Sequence, residues 1–129
     1  MSVELFSVVT TALLLLVLAV TSGALYGKQV GNSALMGNRE GIAPATGAAR
    51  RAVRAHQNLV ENALPFATVV LAAQALHLST PLTQGAAIIF VVARVVHALV
   101  YIAGIPGIRT LAWLAGVAAT AVIASALVI

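Results

Sequence analysis

Long apolar stretches separated by short polar segments make up most of the chain. Residues 5–27, 62–93 and 110–129 carry no charged side chain. A membrane-spanning helix needs about 20 apolar residues, so the first and last stretches each fit one span and the middle one is too long. Leu78-Ser79-Thr80-Pro81 offers a natural break within it. The pattern predicts a single domain of four transmembrane helices with one sizeable loop at about 27–50. The predicted helices cover about 3–26, 52–78, 82–103 and 108–128.

Composition favours an integral membrane protein. The 129 residues are 61% hydrophobic and only 8% charged, and the mean hydropathy is +1.06. An ordinary soluble domain is excluded by these values. We therefore expect an all-α fold, an integral membrane four-helix bundle. The first stretch begins with Glu4 and no basic residue, and it is longer than a signal-peptide core, so we expect a retained helix.

The positive charge is concentrated on one side of the predicted membrane. Arg109 lies in the connection between the third and fourth helices. The basic residues around the connection between the first and second helices are Lys28, Arg39, Arg50, Arg51 and Arg54. The 78–81 turn and both termini carry no Lys or Arg. This positive-inside pattern predicts cytoplasmic basic connections and non-cytoplasmic N- and C-termini, and we expect no nucleic-acid partner for this charge.

The segment at 31–47 is rich in Gly, Asn, Ser and Pro. Such residues favour turns, so we expect an irregular, mobile loop that serves as a linker or a lid.

One face of the predicted second helix is polar. Arg54, Asn58 and Glu61 are spaced i, i+4, i+7 and therefore share that face. His56 lies off the face, where an interfacial or capping role is expected. Pro65 removes the helical hydrogen bond to the carbonyl of Glu61.

A second polar face lies on the predicted third helix. Arg94, His97 and Tyr101 are spaced i, i+3, i+7. Glu61 and Arg94 are both inset from the same cytoplasmic end, which predicts an ion pair between them. That pair alone is compatible with a structural or a functional role. The addition of His97, Tyr101 and Asn58 favours a site, because helix packing needs no five-member network.

Arg109 and Thr110 lie at the predicted start of the fourth helix. The default role of such an arginine is to snorkel and set the topology. Together with Thr110 it also offers a positive charge and a hydroxyl at a helix N-terminus, which favours an anion or a developing thiolate.

Motifs of soluble enzymes are absent from the sequence. There is no GxSxG, no phosphate-binding glycine loop, no cysteine and no aspartate. The three histidines lie on different helices or helix ends, so we expect no metal site. His77, Trp113 and Tyr26 are expected at the membrane interface.

Two motifs resemble one known family. Arg-Ala-His-x-Asn-x-x-Glu at 54–61, followed by Pro65-Phe66, resembles the signature of the MAPEG superfamily, the membrane-associated proteins of eicosanoid and glutathione metabolism. Arg-x-x-His-x-x-x-Tyr at 94–101, with Pro106 and Arg109 after it, is similar to the third-helix motif of the prostaglandin E synthase branch. The resemblance spans nearly the whole chain.

The resemblance implies a homotrimer that binds glutathione between neighbouring subunits near the cytoplasmic face. It implies that Arg109 holds the glutathione thiol as a thiolate, with Thr110 where the prostaglandin synthase has a serine. A lipophilic second substrate would arrive through the lipid bilayer. The residues that it implies for glutathione binding are Lys28, Arg54, Asn58, Glu61, Arg94, His97 and Tyr101.

Two departures limit what the resemblance implies. Gln57 stands where the prostaglandin synthase has a glutathione-contacting arginine, and the chain has no aspartate for an isomerase mechanism. A prostaglandin synthase is therefore not expected. The alanine-rich, cysteine-free sequence indicates a bacterial inner-membrane member, which we expect to act as a glutathione-dependent transferase, or peroxidase, on a lipophilic electrophile. The alternatives are a non-catalytic binding or scaffold protein with this fold, and a small multidrug-type transporter. The positions of Glu4 and Glu61 fit the transporter poorly.

Overall fold

A computed structural model of the protein describes residues 1–129 and contains five α-helices and no strands. The helices are α1 (Val3–Val30), α2 (Asn32–Met36), α3 (Gly47–Ala75), α4 (Pro81–Ala103) and α5 (Pro106–Ala126). The four long helices lie near the predicted ranges. The fifth, α2, is a five-residue helix within the segment predicted to be an irregular loop, so that prediction was wrong for Asn32–Met36.

The end of α3 is set by its backbone hydrogen bonds. The N–H of His77 donates to the carbonyl of Gln74 at 3.0 Å, and the N–H of Leu78 donates to Ala73 at 2.8 Å. His77 itself has left-handed backbone geometry, with φ 54°. This pair of bonds satisfies the last carbonyls of a helix. The helix therefore stops at Ala75, three residues before its predicted end.

The start of α4 agrees with the predicted break. The Thr83 N–H donates to the Thr80 hydroxyl oxygen at 3.2 Å, and the Thr80 N–H donates to the Thr83 hydroxyl oxygen at 2.9 Å. This reciprocal capping box satisfies two N–H groups at the N-terminus of the helix. Pro81 occupies the first helical turn, where its missing N–H costs nothing.

The core is formed where α3 meets the other long helices, since α3 contacts α1, α4 and α5. The rings of Phe66 and Phe90 stack with centroids 3.7 Å apart, and both side chains are fully buried. Small residues around them allow the helices to approach closely, as in other membrane bundles. The remaining members of this buried cluster are Val70, Ala86, Ala87, Ala119 and Ile123.

Three helices, α1, α4 and α5, are long and apolar enough to cross a membrane. The first half of α3 contains Arg50, Arg51, Arg54 and Glu61, which lower its hydropathy. Large apolar side chains such as Phe6, Leu64 and Ile89 are exposed on the outside of the bundle. These features are typical of a protein whose surface faces lipid.

The connection between α1 and α3 is attached to the end of α1. The Tyr26 hydroxyl donates to the carbonyl of Ala43 at 2.6 Å, and the Gln29 amide donates to the carbonyl of Pro44 at 2.9 Å. The N–H of Thr46 donates to the side-chain oxygen of Gln29 at 2.9 Å. Three hydrogen bonds therefore anchor the loop, and Tyr26, which was predicted only to lie at the membrane interface, forms one of them.

The helix directions place both basic connections at the same end of the bundle, which we call the basic end. The α1–α3 and α4–α5 connections lie there. Arg51, near the start of α3, donates from Nε to the carbonyl of Ile102 at 2.8 Å and so ties α3 to the end of α4. The α3–α4 turn and both chain termini lie at the opposite end.

Candidate functional site

A polar cavity of about 260 Å³ lies toward the basic end, between α3, α4 and α5. Its lining includes five of the residues that the sequence motifs singled out, together with Trp113. The lining residues are Asn58, His97, Tyr101, Arg109, Thr110 and Trp113. No carboxylate is among them. The cavity therefore offers cationic and neutral polar groups without an acid.

Arg109 is held over an aromatic ring in this cavity. Its Cζ lies 4.6 Å from the centroid of the Tyr101 ring, a cation–π distance. The ring of His97 meets that of Tyr101 edge-on, with centroids 5.3 Å apart and an interplanar angle of 67°. Arg109 is half-buried. The Tyr101 ring, against which His97 packs, thus positions Arg109, and the charge of Arg109 has no acidic partner in the cavity.

Thr110 lies beside Arg109 in the first turns of α5 and is exposed. Its hydroxyl donates to the carbonyl of Pro106 at 3.4 Å. The N-cap of this helix, Ile105, provides no side-chain cap. Unpaired N–H groups and the positive end of the helix dipole favour an anion at such a terminus.

Arg94 lies behind the cavity and is only 1% exposed. Its Nη1 donates to the side-chain oxygen of Asn58 at 3.2 Å, and its Nη2 donates to the carbonyl of Trp113 at 2.9 Å. Its Nε is buried without a hydrogen-bond partner. The guanidinium stands 5.4 Å from the centre of the Phe90 ring. A buried cation without a counter-charge therefore lies next to the cavity.

The predicted ion pair between Glu61 and Arg94 is not formed, and that prediction was wrong. Arg94 is level with Asn58, one turn before Glu61 on α3, and Asn58 accepts its hydrogen bond instead. Glu61, Arg54 and Lys28 are exposed and lie outside the cavity. The structure thus places these three predicted residues on the surface of the single chain.

Two residues at the site were missed by the sequence reasoning. Asn62 donates from its amide to the side-chain oxygen of Asn58 at 3.4 Å and to the Asn58 carbonyl at 2.7 Å. Trp113, interpreted as an interfacial anchor, lines the cavity and accepts from Arg94. The available signal was helical spacing, because Asn62 follows Asn58 by four residues and Trp113 follows Arg109 by four.

A model of the MAPEG family matches residues 3–129, nearly the whole chain. No curated protein matches the chain. The family match confirms the family predicted from the two motifs. It does not support the more specific likeness to the prostaglandin E synthase branch.

Proposed function

Because the chain belongs to the MAPEG family, we propose that it is a membrane-bound, glutathione-dependent transferase that activates the glutathione thiol for attack on a lipophilic electrophile. The family includes glutathione transferases and related membrane proteins. Together with the apolar helices, membership makes the chain an integral membrane protein.

The observation that carries the proposal is the cavity with Arg109 over the Tyr101 ring and no acid in its lining. Glutathione is a peptide with two carboxylates, one ammonium group and a thiol. Its carboxylates and its thiolate are acceptors, which arginine, amide and hydroxyl donors bind well. The cavity offers this set of donors.

The chemistry that the residues support is thiol activation. A nearby positive charge lowers the pKa of a thiol and so raises the fraction of reactive thiolate. Arg109 provides that charge, and the Thr110 hydroxyl provides a donor beside it. Glutathione supplies the sulfur nucleophile, and the electrophile supplies the leaving group. The same thiolate serves a peroxidase reaction, in which two glutathione molecules form a disulfide while a lipid hydroperoxide becomes an alcohol and water.

The cavity of one chain is too small for the whole of glutathione, and its lining has no acidic group for the ammonium of the ligand. Ligand sites are usually about 300–1,000 Å³, against about 260 Å³ here. Arg54 and Glu61 are exposed on α3, and charges on a lipid-facing helix are costly. A neighbouring copy that covers this face resolves both problems. We infer a homotrimer with glutathione between subunits, where Glu61 meets the ligand's ammonium and Arg54 or Lys28 meets a carboxylate.

The length and packing of α3 support a topology of four membrane spans. The 29 residues of α3 extend over about 43 Å, longer than the hydrocarbon core of about 30 Å. It packs beside α1 and α4, so we infer that it is the fourth span. The basic end is then cytoplasmic in a bacterial inner membrane, with both termini outside.

Because the chain has no cysteine, single-cysteine variants test this topology directly. A thiol reagent that cannot cross the membrane should label Ser2→Cys and spare Glu40→Cys in intact cells, and the reverse would contradict the topology.

Purified protein in mild detergent tests the function. We expect calorimetry to detect glutathione binding, native mass spectrometry to show trimers, and chlorodinitrobenzene to be conjugated with release of chloride. Monomers alone would contradict the shared site. Binding without conjugation of this electrophile or reduction of a lipid hydroperoxide would favour the scaffold alternative. Absence of binding, with proton-coupled cation uptake by vesicles, would favour the transporter.

A further inference from the structure

The side chain of Asn58, which lines the cavity, has one polar atom bonded within the protein and one without a protein partner. Its side-chain oxygen accepts from Arg94 Nη1 at 3.2 Å and from the Asn62 amide at 3.4 Å. Its side-chain Nδ2 donates to no protein atom and is not among the buried unpaired groups. Because a guanidinium is only a donor, the atom that faces Arg94 must be the oxygen.

This arrangement leaves Nδ2 as the group of Asn58 that remains for a ligand. An amide N–H can only donate, so the ligand atom that it meets must be an acceptor. Without Arg94, only the longer, 3.4 Å hydrogen bond from the Asn62 amide would hold the oxygen in this orientation. The orientation, and with it the preference for an acceptor, therefore depends on the guanidinium.

We infer, on the basis of the proposed function, that Arg94 is a positioning residue that does not itself touch glutathione. Through Nη1 it holds the Asn58 carboxamide so that Nδ2 donates to an anionic or carbonyl group of glutathione. Arg94 is 1% exposed and does not line the cavity. Its guanidinium is already bonded to Asn58 and to the Trp113 carbonyl. Because the guanidinium is buried outside the cavity lining, a direct contact with glutathione would require it to move.

The buried charge of Arg94 supports the same reading. No acidic group neutralises it, and an uncompensated charge in a low-dielectric interior is unfavourable. An anion bound in the adjacent cavity reduces that penalty. The cavity is thus biased toward negative ligand groups by the Arg94 charge, by the Asn58 donor and by Arg109.

The first test is a double-mutant cycle on glutathione affinity measured by calorimetry. Arg94→Met removes the donor but keeps an apolar chain in the buried site, and Asn58→Ala removes the carboxamide. Each single variant should weaken binding about tenfold, which is about 1.4 kcal/mol. The loss in the double variant should be clearly smaller than the sum of the two single losses, because Arg94 acts mainly through Asn58. Fully additive losses would mean that Arg94 acts independently of Asn58 and would overturn the inference.

A second variant distinguishes the Asn58 amide as a donor to the ligand from the structural contact between Asn58 and Arg94. Asn58→Asp keeps the oxygen that Arg94 needs and removes the amide donor. We expect unchanged or higher thermal stability but glutathione binding weakened by more than tenfold. Retained binding would overturn the donor assignment. Arg51→Met is the matched control, since it also removes an arginine that bonds a carbonyl of a neighbouring helix, but outside the cavity; its glutathione affinity should equal that of the unmodified protein.

A ligand-free measurement keeps this inference distinct from the proposed function. Asn58→Ala should lower Tm in the unmodified protein and leave Tm unchanged in the Arg94→Met background. Equal Tm losses in both backgrounds would overturn the Arg94–Asn58 coupling even if glutathione binds. Conversely, clear coupling in a protein that does not bind glutathione would contradict the proposed function and leave the positioning geometry intact.

Discussion

The guanidinium of Arg94 lies directly on the backbone of Gly116, where only a hydrogen atom fits. A Cβ at position 116 would be 2.6 Å from Nε and 2.8 Å from Cζ of Arg94. Non-bonded heavy atoms do not approach so closely in folded proteins. Arg94 can therefore reach Asn58 and the Trp113 carbonyl only because α5 carries glycine at this point.

Gly116→Ala should displace the Arg94 guanidinium and weaken its hydrogen bonds. Overpacking of a tight interface costs about 1–3 kcal/mol, so we expect a lower Tm and, through Asn58, weaker glutathione binding. Gly85→Ala is the matched control in a neighbouring helix, because a Cβ there meets no atom within 4 Å. It should stabilise by about 0.5–1 kcal/mol. Equal effects of the two variants in thermal unfolding and calorimetry would contradict the packing argument.

Glu4 should stabilise the fold from the end opposite the cavity. Its carboxylate is fully buried and accepts from the Thr83 hydroxyl at 2.6 Å and the Ser79 hydroxyl at 2.9 Å. Glu4→Gln keeps the shape but removes the charge, and we expect a loss of about 1.5–3 kcal/mol. Thermal unfolding measures it, with the exposed Glu40→Gln as control. Glutathione affinity should not change, and an unaltered Tm for Glu4→Gln would refute the role of this contact.

The sequence predicted the long helices and most of the cavity, because both depend on local periodicity. Apolar runs marked the spans, Thr80-Pro81 marked the break, and spacing placed His97 beside Tyr101. The prediction of an ion pair between Glu61 and Arg94 was wrong because it depended on more than local periodicity. Spacing identifies the face of one helix but not its axial offset against another.

Other contacts leave no trace in a residue pattern. Arg94 bonds the backbone carbonyl of Trp113, and every residue type has a carbonyl. Gln29 anchors the loop through two bonds formed across 15 and 17 residues of chain. The burial of Glu4 depends on the α3–α4 turn folding back onto the first helix. These features required the tertiary structure.

His77→Gly should stabilise the α3–α4 turn. His77 is exposed and has φ 54°, a conformation that costs an L-residue about 1–2 kcal/mol and glycine almost nothing. The extra chain entropy of unfolded glycine offsets part of the gain, so we expect a net increase of about 0.5–1 kcal/mol in the free energy of unfolding.

Gly104→Ala provides the opposite case, since Gly104 ends α4 with φ 84°. A Cβ there makes only ordinary contact, at 3.5 Å from Arg51 Nε. Its loss of stability would therefore report backbone strain alone. Thermal unfolding should show opposite shifts for the two variants. Shifts of the same sign would mean that side-chain contacts, not left-handed geometry, control these turns.

Tyr101 supplies the control for the last prediction, which concerns Arg109. Tyr101→Phe keeps the ring beneath the guanidinium, 4.6 Å from its Cζ, and removes only the phenol. Arg109 should therefore stay in place in this variant, so that the thiolate of bound glutathione still forms. Any loss of affinity would then belong to the phenol as a donor.

Arg109→Ala should affect thiol ionisation more than glutathione affinity. Attraction between unit charges about 4 Å apart is worth roughly 4 kcal/mol at an effective dielectric near 20, before desolvation is subtracted. A fall of one to two units in the thiol pKa, about 1.4–2.7 kcal/mol, is within that range. We expect the ultraviolet thiolate signal to disappear and conjugation to fall at least tenfold, while Arg109→Lys retains part of both. If Arg109→Ala leaves turnover intact and only disturbs cysteine-labelling topology, Arg109 sets orientation and has no part in catalysis.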